Sequence, residues 1–138
     1  MTEADVARIP PGNLRVPRAE FAAVWATAER LSAEEDASDD GDWYPTAVVI
    51  TCRWLATSVV QTRNGRGLPA HAPVSKRSTS AYEELIEAEY LAAELLDMRE
   101  PELLHLRPGW VEGVRATLRW AWRREGPPPL PVPSVAAP

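Results

Sequence analysis

Apolar side chains recur at spacings of three and four in four separate stretches of this chain, and proline or glycine interrupts the pattern between them. That period gathers the apolar residues onto one side of a helix instead of alternating them across a strand. Phe21, Val24, Trp25, Ala28 and Leu31 mark the first stretch, and Trp43, Ala47, Ile50, Thr51, Trp54 and Leu55 the second. Tyr82, Leu85, Ile86, Ala93 and Leu96 mark the third, and Trp110, Val114, Leu118 and Ala121 the fourth. The expectation is an all-α fold, a small helical bundle of about four helices. At 138 residues the chain is one domain's worth and long enough to bury a core without disulfides or a structural metal.

The segments between these stretches set the boundaries. Residues 1–16 contain Pro10-Pro11-Gly12-Asn13 and show no sustained period, so they read as a flexible arm. The first helix enters at Val16-Pro17, and Ser32 to Gly41 reads as an acidic, solvated connector. The second helix runs from near Trp43 to about Val60 and is apolar nearly all round, as in a helix buried between others. Its Thr46–Thr51 stretch is also β-prone. Gln61 to Ser78, with Asn64-Gly65-Arg66-Gly67, is a long basic loop between helices two and three. Ser80 and Glu83 have capping-box spacing for the third helix, which ends before Pro101. The fourth runs from Trp110 to Arg124 and stops at Gly126. Residues 17–125 are therefore the expected bundle, and 126–138 a disordered Pro-rich tail.

Charge is segregated along the chain. Residues 20–42 and 83–102 each carry a net −7, whereas 53–77 carry +5 and 107–124 carry +4. Acidic helices set beside basic ones would compensate each other and disfavour wrong helix pairings. Lys76 is the only lysine among 15 basic residues, the bias of a GC-rich, bacterial coding sequence. The acidic start lacks the basic and apolar regions of a secretory signal, and no stretch of about 18 apolar residues is present to span a membrane. The expectation is a cytoplasmic, reducing setting, where the lone Cys52 forms no intramolecular disulfide.

Trp120 lies off the line of Trp110, Val114 and Leu118 and two positions from Trp122, so one of the pair is expected to face away from the core. An exposed tryptophan flanked by Arg119, Arg123 and Arg124 has the residue types that dominate protein interfaces. Leu91, Leu95 and Met98 lie opposite the core stripe of the third helix. They are read as a dimer face, or as a surface covered by residues 1–16. Arg63, Arg66, Lys76 and Arg77 are candidate anion or nucleic-acid contacts, although a pI near 5.1 speaks against nucleic acid as the main partner. The Arg63–Gly67 run lacks the ending of a P-loop. His71, His105 and Cys52 lack metal-ligand spacing, and Cys52 reads as a small core residue. The PxxP pattern of Pro127–Pro133 is a polyproline II segment.

No cofactor motif and no catalytic constellation is visible, so no enzyme is expected. These features favour a protein-binding accessory or regulatory module, with a protein partner or a homodimer docking on the Trp/Arg surface. The alternative is a small nucleic-acid-binding regulator that uses the basic loop and the Arg-rich last helix.

Overall fold

The computed structural model describes residues 1–38, 41–61 and 64–132. Over these the fold is all-α, with a short antiparallel strand pair inserted at one side. The helices are α1 (Glu3–Ala7), α2 (Arg18–Ser38), α3 (Tyr44–Leu55), α4 (Glu83–Glu94), α5 (Leu96–Arg99), α6 (Leu103–Leu106) and α7 (Trp110–Arg123). Strands β1 (Val59–Gln61) and β2 (Gly67–Pro69) pair with Val59 opposite Pro69 and Gln61 opposite Gly67. The long helices α2, α3, α4 and α7 account for the four periodic stretches, and the shorter ones join or flank them.

The helices do not pack in chain order. α2 lies on α3, and α7 inserts between α3 and α4. The long connection from Leu55 to Glu83 makes this possible, since α4 need not lie against α3. The α3–α7 contact is close at Gly113, where an added Cβ would stand 2.7 Å from the Ala47 Cβ and 2.8 Å from the Tyr44 carbonyl oxygen. Trp25, Trp54, Trp110, Phe21, Leu55 and Leu118 fill the interior around this crossing. Cys52 sits among them, wholly buried, and burial pushes its thiol far above the usual range. The segregated charges meet where α7 crosses α4 and α5. Arg115 pairs with Asp97 at 2.6 Å, Arg119 with Glu94 at 2.6 Å and Arg123 with Glu87 at 3.3 Å.

Several local expectations change. The acidic residues after Leu31 continue α2 to Ser38 instead of forming a connector. With no core to face there, the last turns lack an apolar stripe. The second helix stops at Leu55, where the chain turns through Thr57 at φ 54°. The β-branched residues beyond it pair with β2, so part of the expected loop is a hairpin. Tyr82, not Ser80, occupies the N-cap of α4, with no side-chain cap. The chain's capping box is at α1 instead, where Thr2 and Asp5 exchange bonds of 3.1 and 2.8 Å.

The two ends are also anchored. In the amino-terminal segment Ile9 is buried, and the Asn13 amide donates to the carbonyls of Leu55 (2.8 Å) and Ala81 (3.1 Å). Val6, Leu14 and Val16 pack partly buried against the core, and the Arg15 amide donates to the Ala121 carbonyl, contacts too irregularly spaced to produce a period. At the other end the Tyr44 hydroxyl donates to the Pro129 carbonyl at 2.6 Å, and Leu130 is buried. Residues 126–132 thus return over the core, while Pro133 to Pro138 lie outside the described residues.

Candidate functional site

Helix α4 is amphipathic twice over. Ile86, Tyr90 and Ala93, continued by Leu96 in α5, face the core. Glu87 and Glu94 reach α7 along one flank. A second apolar line remains at i, i+4 and i+7: Leu91 is 53% exposed, Leu95 42% and Met98 77%. Leu95 itself lies between α4 and α5, and Met98 belongs to α5, whose first turn is closed by the Met98 and Arg99 amides donating to the Leu95 carbonyl. Leu104 and Leu106 are exposed on α6 just beyond. Residues 1–16 do not cover the line, since they are anchored at Leu55, Ala81 and Ala121.

The Trp/Arg surface expected on the last helix is not an open one. Trp120 is 4% exposed and stacks on Phe21 of α2, with planes 8° apart and centroids 6.3 Å apart. Trp122 is 8% exposed; its indole N–H donates to Glu87 at 2.6 Å, and the Arg15 guanidinium covers its ring at 4.2 Å. Arg119 grips Glu94 through two bonds of 2.7 and 2.6 Å, which hold that carboxyl below its usual range. Arg123 lies over the Tyr90 ring and beside Glu87. Arg124 is exposed where α7 ends in a left-handed residue. The error lay in assuming one apolar stripe: α7 is wedged among α2, α3 and α4, so both tryptophans have something to cover.

The basic loop divides. Arg63 lies outside the described residues; Arg66 and Arg77 are exposed and spread along the connection. Lys76 is exposed as well, but its side chain lies over the Trp110 ring with its ammonium 4.6 Å from the centroid. There it meets Arg107, which sequence reasoning missed because it precedes the last helix as an isolated charge. Arg107 sits in a notch between two indoles, 4.9 Å from the Trp43 ring and 5.4 Å from Trp110. Trp43 and Trp110 themselves meet edge to face at 6.3 Å. Ile50 and Arg53 of α3 face this pair across a cleft of about 450 Å³, whose far wall is Ala70, His71 and Ala72. Burial, and then the Arg107 charge, lower the Lys76 pKa.

A buried carboxylate shapes that wall. Glu89 of α4 accepts from the Val74 amide at 2.9 Å and the Ser75 amide at 3.1 Å. The turn is closed by bonds from the Ala72 amide to the Arg77 carbonyl and from the Lys76 amide to the Ala72 carbonyl. Lys76 is thereby held at φ 64°, a left-handed conformation uncommon outside glycine. Glu89→Ala is expected to cost about 1–3 kcal/mol, because two part-buried amides lose a charged acceptor. Hydrogen exchange at Val74 and Ser75 should accelerate far more than at α7; equal protection in both proteins would show that the carboxylate does not pin the loop.

Among the described residues no group of three or more His, Cys, Asp or Glu side chains converges as metal ligands would. No helix among them is long and apolar enough to cross a membrane. Comparison with protein families, characterised proteins and solved structures finds no match to this chain.

Proposed function

We propose that this chain is a protein-binding accessory or regulatory module that docks through the Leu91–Leu95–Met98 line, with a second copy of the chain as the simplest occupant. The observation that carries the reading is the exposure of three large apolar side chains at i, i+4 and i+7 across the α4–α5 junction, with Ile86, Tyr90, Ala93 and Leu96 of the same two helices buried. Contiguous exposed apolar surface is where soluble proteins meet partners. A stripe at i, i+4 and i+7 suits helix-on-helix docking, and two-fold pairing presents the same stripe from both sides. The arginines of α7 favour this reading over a nucleic-acid regulator, since Arg115, Arg119 and Arg123 are already engaged by carboxylates.

The test is sedimentation of the wild-type chain beside Leu95→Glu and Met98→Glu. Both positions are exposed, so stability should move by no more than about 0.5 kcal/mol. The wild type is expected to self-associate and both variants to run as monomers with unchanged helicity. A wild type that stays monomeric, and that retains the same host proteins on a column as the variants do, would overturn the proposal.

A further inference from the structure

The cleft beside Trp110 is a different feature from the apolar line, and it presents a different chemistry. We infer that it binds a small amphipathic organic anion, a carboxylate carried on an aromatic or aliphatic body, with Lys76 and Arg107 receiving the acid group. The chain as a whole carries −5, yet no acid lines this cleft. Arg53, the other arginine lining the cleft, has the Glu29 carboxylate at 3.7 Å. No carboxylate among the described residues lies within 4.0 Å of Lys76 or Arg107, a condition shared by Arg18, Arg77, Arg99 and Arg124, none of which lines the cleft. Lys76 and Arg107 are instead held together on one indole, like charge beside like charge.

An indole face offsets part of the cost of desolvating a cation, but it does not remove the repulsion between two of them. An anion placed between them does, and it gains charge-assisted hydrogen bonds from both. The Lys76 ammonium donates to the Pro73 carbonyl at 3.0 Å, which leaves two of its three hydrogens for a ligand. The body of the ligand is specified by the remaining lining. Ile50, Ala70 and Ala72 make the cleft mostly apolar, and its volume suits a small organic molecule, not a bare inorganic ion. The backbone is consistent with this use. Lys76 is kept in a strained left-handed conformation by the turn and by Glu89, and strain of this kind collects where a side chain is being aimed.

Lys76→Gly separates aim from architecture. Glycine is at ease at this φ and keeps both backbone bonds of the turn, so the variant should hold or raise the melting temperature while losing the ammonium. Arg107→Met keeps the apolar stem between the two indoles and removes the charge. Calorimetric titration with naphthoate is expected to show one site, weakened about ten- to hundredfold in each variant. The neutral naphthalenemethanol should bind far more weakly than naphthoate, as should inorganic phosphate. Naphthoate and its alcohol binding alike, or binding that neither variant changes, would place the ligand elsewhere, including on the Leu91–Met98 line, and overturn the inference. Phosphate binding as tightly as naphthoate would remove the organic body from it. The absence of heat with naphthoate at millimolar concentration would end it.

Discussion

Gly113→Leu is expected to leave the chain unable to close α3 onto α7, whereas Gly113→Ala folds with reduced stability. The alanine gains about 1 kcal/mol of helix propensity over glycine. Against that stands a methyl group 2.7 Å from the Ala47 Cβ and 2.8 Å from the Tyr44 carbonyl, neither of them the end of a flexible side chain. Overpacking of this kind costs about 1–3 kcal/mol; with contacts this close the upper part of that range applies, and the net loss in Gly113→Ala approaches about 2 kcal/mol. Leucine adds three further carbons beyond that already crowded Cβ, and forcing the helices apart to seat them exposes the apolar surface packed around the crossing. Its loss approaches the whole stability of a domain this size, about 5–15 kcal/mol. Chemical denaturation of the alanine variant and the circular dichroism of the leucine variant measure both. A leucine variant with native helicity and a native melting temperature would show that the two helices do not meet as described.

Trp120→Ala should be nearly as damaging. The indole is almost wholly buried and lies flat on Phe21, tying the end of α7 to the start of α2. Truncating a buried aromatic costs about 3–5 kcal/mol, which lowers the melting temperature by more than about ten degrees in a chain of this length. Trp120→Phe keeps most of the stack and should recover more than half of the loss. A Trp120→Ala protein with an unchanged melting temperature would mean that the ring is a surface group after all.

The helices were readable because a core on one side leaves a period behind, and α2, α3, α4 and α7 all start within a few residues of where their apolar stripes begin. What escaped has physical reasons of its own. The last turns of α2 meet α3 only through small and polar side chains such as Ser32, which bonds Thr46, so their helicity leaves no apolar trace. The amino-terminal segment is held by irregularly spaced apolar residues (Val6, Ile9, Leu14 and Val16), by the Arg15 amide on Ala121 and by the two carbonyls that Asn13 reaches, which come together only in the fold. Trp120 was misread because a helix with neighbours on three sides buries more than one stripe. Leu91, Leu95 and Met98, which the sequence left either open or covered by residues 1–16, stand exposed. The cleft was half legible. Lys76 stood out as a basic loop residue, but Arg107 and Trp43 join it only through the fold, where the Trp43 amide bonds to the Pro108 carbonyl at 2.8 Å.

The lone thiol of Cys52 carries a practical meaning. It lies at the heart of α3, shielded on every side and held in its unreactive protonated form. A thiol reagent cannot reach it while the core is closed, and no second cysteine competes for the label. The speed of modification therefore counts excursions to the open state, and when reclosing outpaces the reagent it reports their population. The chain carries a built-in gauge of its own opening, readable without adding a probe to any surface where a partner or ligand would sit.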